Sequence, residues 1–280
     1  MIVLVTGVNG QLGHDVVKEL EKKGHTAHGA DRNEFDLTSE ADVKGYVQKL
    51  KPDAIIHCAA YTNVDQAEAD HETAYNVNAL GTKYLAQAAQ DAKAKMAYVS
   101  TDYVFDGSGT EPYEVDEPTK PLGVYGETKL AGETFLKESL EQYFIVRTAW
   151  VYGINGNNFV KTMLRLGKER GEVGVVADQV GSPTYTVDLA KLLVEMVETE
   201  KYGTYHATNS GICSWYEFAV EIFKQAGLDV KTNPLTTEEF PRPAARPKYS
   251  VLSKKRLEEQ GFTPLRDWKE ALSAYMDELN

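Results

Sequence analysis

The chain is poor in cysteine, poor in positive charge and without a long apolar run, and each shortage removes a class of protein. Its two cysteines, Cys58 and Cys213, stand in apolar or mixed surroundings without metal-ligand spacing. They exclude a disulfide framework, indicate no zinc site, and point to a reducing, cytoplasmic setting. Lysine and arginine total 30 against 42 acidic residues, a formal net charge of -12. A field of that sign repels polyanions, so neither nucleic acid nor an anionic membrane is an expected partner. An anionic substrate must instead find local basic groups. The opening Ile2-Val3-Leu4-Val5 meets glycine within a few residues, with no room for a charged leader and a long apolar stretch. Neither export nor membrane insertion is expected.

What is present suffices for a real core: 280 residues with 42% hydrophobic content allow one large or two modest domains. Strand-length apolar runs alternate with amphipathic stretches through the first half, the pattern of repeated βαβ units around a parallel sheet covered on both faces. Strands are predicted at Ile2–Thr6, Thr26–Ala30, Ala54–Cys58, Met96–Ser100 and Phe144–Arg147. Helices are predicted at Gln11–Lys23, Ser39–Leu50, Glu72–Asp91 and Tyr125–Glu138, with Ser39 or Thr38 as a cap. The fold class is therefore α/β and doubly wound. Beyond Trp150 glycine and asparagine crowd the chain, and a basic helix is expected at Phe159–Arg170. Pro241, Pro243 and Pro247 punctuate an arginine-containing loop before a last amphipathic helix, Asp267–Leu279. Residues 1–150 are expected to form a Rossmann-like dinucleotide-binding domain. Residues 151–280 should form mainly a smaller C-terminal substrate-binding lobe, with some segments returning to the first domain.

Three signals carry chemistry. Thr6 ends a strand, and Gly7, Gly10 and Gly13 precede a helix. Glycines allow a tight turn and close approach, and a helix N-terminus offers N–H groups and dipole to a pyrophosphate. The spacing is Gly-x-x-Gly-x-x-Gly rather than Gly-x-Gly-x-x-Gly. Asp31 lies about 20 residues on, where a carboxylate bonds the ribose 2'-hydroxyl of NAD. Arg32 beside it suits the 2'-phosphate of NADP, so both cofactors stay open. His57 reads as a packed core histidine, whereas the small Ala59 and Ala60 that follow let a ribose or nicotinamide pass near the backbone. The third signal is Tyr125 and Lys129, four apart and so on one helical face. A nearby ammonium favours the ionised phenol and brings its pKa, near 10 unperturbed, toward useful proton transfer. Lys129 would also bond the nicotinamide ribose. Thr101, at the carboxyl end of a strand, is placed to hydrogen-bond a substrate carbonyl.

Thr6-Gly7-x-x-Gly10-x-x-Gly13, Cys58-Ala59-Ala60, Ser100-Thr101-Asp102-Tyr103-Val104-Phe105 and Tyr125-x-x-x-Lys129 together resemble the extended short-chain dehydrogenase/reductase superfamily. Within it the chain is similar to the dTDP-4-dehydrorhamnose reductases, through Thr62-Asn63-Val64-Asp65-Gln66-Ala67-Glu68, Arg147-Thr148-Ala149-Trp150-Val151-Tyr152-Gly153, Asn158-Phe159-Val160, Ala177-Asp178-Gln179-Val180-Gly181-Ser182-Pro183-Thr184 and Arg246-Pro247. The resemblance implies reduction of the 4-keto group of dTDP-4-dehydro-β-L-rhamnose by NADPH or NADH, for cell-surface polysaccharide. It implies a catalytic set of Thr101, Tyr125 and Lys129. It implies cofactor contacts at Gln11, Leu12, Gly13, Asp36, Leu37, Ala60, Tyr61 and Thr62, and sugar contacts at Val64, Asp102, Tyr103 and Trp150.

For the diphosphate, Arg165, Lys168, Arg242, Arg246 and Lys248 are the basic candidates. Proline-flanked Arg246 is the favoured clamp, because a planar fork bonds two oxygens at once. Arg165 and Lys168 read instead as a solvated helix face. Tyr249 stands where many relatives have asparagine. Asp15, Asp188 and Glu278 match acidic positions that hold Mg²⁺ at a dimer contact in some relatives; two are shortened, so no metal is assigned and both monomer and homodimer stay open. Alternatives of the same fold are other sugar-nucleotide reductases, epimerases, dehydratases, or a regulatory subunit like that of methionine adenosyltransferase. Tyr103 stands where dehydratases carry a second carboxylate, and the intact Thr101, Tyr125 and Lys129 favour an enzyme over a regulator.

Overall fold

The computed structural model describes residues 1–279. Its frame is a six-stranded parallel sheet of β1 (Ile2–Thr6), β2 (Thr26–Ala30), β3 (Ala54–His57), β4 (Lys95–Thr101), β5 (Tyr143–Thr148) and a later strand, β10 (Gly203–His206). The spatial order is β2-β1-β3-β4-β5-β10, so the direction of winding reverses between β1 and β3. In open parallel sheets that switch point is where ligands bind, outside the carboxyl ends of the strands.

Alternation along the strands explains the two layers. Val3 and Val5 face one side, with Ile56, Val146 and Tyr205, and pack on α1 (Gln11–Lys22) and α8 (Thr186–Val197). Leu4, Ile55, Tyr98 and Ile145 face the other, against α2 (Glu40–Leu50), α5 (Gly81–Ala92) and α6 (Val124–Ser139). These side chains are fully buried, each stabilising by roughly 1.5–3 kcal/mol relative to exposure. Ser39 caps α2 by accepting the Asp42 N–H at 3.3 Å, while Thr38 turns to Asp36 instead.

The expected helix Glu72–Asp91 is three segments run together: α4 (His71–Tyr75), a π-helical stretch Asn76–Leu80, and α5. Short α3 (Val64–Ala67) precedes them, and a 3₁₀ turn, Asp102–Val104, follows β4. The second lobe is built from β6 (Val151–Tyr152), α7 (Phe159–Arg170), β7 (Glu172–Val176), β8 (Val180–Gly181), β9 (Thr184–Tyr185), β11 (Cys213–Ser214), α9 (Trp215–Gln225), β12 (Lys231–Leu235) and α11 (Trp268–Leu279), whereas α10 (Lys255–Glu259) packs through Leu257 on the sheet core beside β10. Its core gathers Tyr152, Val160, Phe218, Phe223, Trp268 and Tyr275. Between these elements α8 and β10 return to the sheet layer, β10 pairing parallel with β5.

Candidate active site

A cavity of about 1020 Å³ lies over the carboxyl ends of β1, β3 and β4 and reaches under the second lobe. Its cofactor end is made by backbone. Gly7 has φ +71, and a Cβ there would meet Ala59; a Cβ on Gly13 would strike the Gly7 carbonyl. Only glycine lets the β1 turn, the β3 loop and α1 come this close. The N-terminus of α1 starts after Gly10 with no side-chain cap, leaving its first N–H groups facing the cavity. Unpaired donors with a favourable dipole suit a pyrophosphate, so the cradle fits a dinucleotide. Gly7, Gly10, Gln11, Leu12, Gly13, Asp31, Arg32, Asp36, Leu37, Ala59, Ala60 and Thr62 all line the cavity. Tyr61 does not: its main chain is held by Asn78, whose Oδ1 accepts the Tyr61 N–H at 2.8 Å while Nδ2 donates to its carbonyl at 3.1 Å. The side chain of Gln11 is also spoken for, since its Oε1 accepts from Gly153 N at 3.0 Å and Asn158 Nδ2 at 2.9 Å.

The reacting end gathers Thr101, Asp102, Tyr103, Tyr125, Lys129, Val64 and Trp150 on the same cavity. α6 brings Tyr125 and Lys129 in from one face. Glu68 Oε1 accepts the Val124 N–H at 3.0 Å, setting a carboxylate at the positive end of that helix. Lys129 is buried; its Nζ donates to the Val99 carbonyl at 2.7 Å and sits 4.1 Å from the Tyr98 ring centre. Burial pushes its pKa down to about 7, against the opposing charge of Glu133. Tyr125 is pushed up to about 12, first by burial, with a hydrogen bond to Thr101 acting the other way. Lys129 is not among the groups that shift Tyr125, and burial keeps the phenol neutral, with a proton to give.

Thr101 has partners within the protein. Its hydroxyl donates to Asp102 Oδ1 at 3.0 Å and accepts the Tyr103 N–H at 3.2 Å, so a substrate carbonyl competes with Asp102 for its proton. Asp102 is buried with Oδ2 lacking a partner, and its carboxyl is raised to about 6 by burial. The Tyr103 ring meets Tyr125 edge-on at 5.5 Å.

Arg246 lies outside the cavity wall. It donates from Nη2 to Asp65 Oδ1 at 2.9 Å, while Arg242 grips the other oxygen of Asp65 and Ala244 N–H adds a bond at 3.3 Å. Asp65 was invisible as their partner from composition, being 177 residues before Arg242. Lys248 pairs with Asp178 and Glu238 and Arg165 with Glu169, whereas Lys168 is an exposed helix residue. His57 is a packed core histidine, with Nδ1 2.6 Å from Thr6 Oγ1, brought down to about 3 by burial.

The three acidic positions considered for Mg²⁺ have other partners. Arg266 takes Asp188 through both oxygens at 2.8 and 2.7 Å, Thr186 donates to Asp15, and Tyr185 donates to Glu278 at 2.7 Å. Among the described residues, no group of three His, Cys, Asp or Glu is arranged to hold a metal ion, and no helix is long and apolar enough to cross a membrane.

Sequence reasoning missed Trp215, which lines the cavity, and Asn78 and Glu133 behind it. Glu133 extends the four-residue spacing of Tyr125 and Lys129 by one more turn, a signal that was available. Asn78 and Trp215 carry no local signature.

The match to the RmlD substrate binding domain spans residues 1–280. The chain belongs to this family. A dTDP-4-dehydrorhamnose reductase structure from Clostridium acetobutylicum is 50% identical, with TM-score 0.98 over 100% of this chain and 99% of that one. A Bacillus anthracis dTDP-4-dehydrorhamnose reductase, solved with NADP, is 48% identical with TM-score 0.97 over 99% of both chains. The Bacillus subtilis spore coat polysaccharide biosynthesis protein SpsK is 42% identical over 276 residues, 99% of this chain and 97% of that protein. Family membership agrees with a Rossmann-like fold whose glycine cradle and Tyr125-Lys129 pair open on one cavity.

Proposed function

We propose that this protein reduces the 4-keto group of dTDP-4-dehydro-β-L-rhamnose to give dTDP-L-rhamnose, with NADPH or NADH, as a cytoplasmic step toward cell-surface polysaccharide. The observation that carries the reading is that Thr101, Asp102, Tyr125 and Lys129 share one cavity with the glycine cradle. The 48% identical structure solved with NADP and the reductases among the relatives support the cofactor and the substrate.

Gly7, Gly10 and the N-terminus of α1 would hold a reduced nicotinamide cofactor, which would supply the hydride. Asp31 and Arg32, on the same cavity, would meet the adenosine end, one suited to a ribose diol and the other to a 2'-phosphate. Tyr125, a neutral phenol, gives its proton to the ketone oxygen as the carbon is reduced. Thr101 turns its hydroxyl from Asp102 to the same oxygen and fixes the carbonyl in line. Lys129, anchored on Val99, would bond the nicotinamide ribose and is the group able to supply positive charge as the phenolate forms. Two guanidinium groups sharing the single carboxylate of Asp65 leave one excess positive charge beside Tyr103, which suits a diphosphate in an otherwise acidic protein.

The test is cofactor oxidation followed at 340 nm, a wavelength set by the reduced nicotinamide rather than by this protein. Turnover is expected only when the 4-keto sugar nucleotide is present. Tight cofactor binding without turnover on any 4-keto sugar nucleotide would instead favour a regulatory role.

A further inference from the structure

Trp150 has φ 49, a left-handed conformation that a bulky side chain rarely adopts. Its backbone is pinned on both sides by Thr184, which donates from Oγ1 to the Ala149 carbonyl at 2.6 Å and from N to the Trp150 carbonyl at 3.2 Å. The strain persists only if the surroundings over-determine it. They do so through the ring. Trp215 stacks on it at 3.7 Å between centroids and 14° between planes. On Gly181 even a Cβ would come within 2.9 Å of the Trp150 ring. Trp215 is itself fixed, since it is the first residue of α9, follows the reciprocal Ser214–Glu217 cap, and rests on Phe159 at 4.6 Å. Both indoles line the cavity that Thr101 and Tyr125 also line.

We propose that Trp215 is a positioning residue of the sugar subsite, stacking behind Trp150 so that the Trp150 ring presents a fixed apolar wall to a deoxyhexose. This rests on the reductase reading and deepens it. A pyranose has C–H faces and, in a 6-deoxy sugar, a methyl group, and an aromatic surface held at one angle packs against them without a new ordering cost. Loosening the support costs affinity for the sugar and leaves the nucleotide and the dinucleotide unaffected.

The test measures, by calorimetry on the full-length protein with cofactor bound, the dissociation constants of dTDP-L-rhamnose and of dTDP alone. Trp215→Leu fills volume without a stacking face; Trp215→Phe keeps one. In wild type the sugar adds affinity over dTDP. Trp215→Leu should erase up to about tenfold of that increment, Trp215→Phe should keep most of it, and neither should change dTDP or cofactor affinity. Equal losses for dTDP-L-rhamnose and dTDP, or a lowered melting temperature with the sugar increment intact, would make Trp215 plain packing and overturn the proposal. So would a wild-type protein that binds the two ligands equally. Failure of wild type to turn over the keto sugar counts separately, against the reductase reading.

Discussion

Asp102 is buried, with one oxygen bonded to Thr101 and the other unpartnered, and such a carboxyl resists ionisation. Its folded value of about 6 lies above its ordinary 3.8, with burial as the main cause. The folded protein therefore holds this proton more tightly than the unfolded chain does. The resulting stabilisation is complete below pH 3.8 and is lost as pH rises through about 6. Asp102→Asn should remove that dependence, flattening a slope of at most about 1.4 kcal/mol per pH unit in denaturation measured between those limits. An unchanged slope would place the titrating group elsewhere. The motif around Thr101 was legible in the sequence, but not its hydroxyl's engagement with Asp102, because two adjacent residues meet this way only where the strand gives way to the 3₁₀ turn.

α6 shows what spacing can and cannot reveal. Tyr125, Lys129 and Glu133 recur at four-residue steps, so one face of the helix was readable as functional. Glu133's partners were not, since they come from β4 and β5: Ser100 Oγ donates to Oε1 at 2.6 Å, and Arg147 grips both oxygens at 2.9 and 2.8 Å. Both members of this pair are almost wholly buried. Removing one charge strands the other, so Glu133→Gln should cost about 3–5 kcal/mol in denaturant unfolding. Adding Arg147→Met should recover part of the loss, giving a cycle far from additive. Additive losses would show that the two charges do not depend on each other. The predicted helix Glu72–Asp91 likewise hid its π turn, because periodicity cannot register one extra residue. That turn brings Asn78 to Tyr61 and to the Thr128 hydroxyl, tying α6 to the β3 loop.

In the whole molecule, the buried strands with continuous apolar runs, β1, β3, β4 and β5, were legible within a residue or two. Gly203–His206 was not, because its four residues lack an apolar run and join the sheet only through pairing with β5, far back in the chain. The lobes meet through Gln11 with Gly153 and Asn158, through Asn155 with the Asn9 carbonyl at 2.9 Å, and through Asp65 with Arg242 and Arg246. The last contact is partly solvated, so Asp65→Ala should change global stability by only about 1 kcal/mol. It should nevertheless release the Ala244 amide to faster hydrogen exchange and raise KM for the nucleotide sugar more than kcat falls. Unaltered exchange at Ala244 would mean the clasp does not hold that loop. The central claim, that these lobes enclose a ketone reductase whose proton comes from Tyr125, is met most directly by a single-turnover measurement on Tyr125→Phe. With cofactor and dTDP-4-dehydro-β-L-rhamnose saturating at neutral pH, cofactor oxidation should slow by about 100- to 10,000-fold while cofactor affinity stays as in wild type. A variant that keeps the wild-type rate would contradict it.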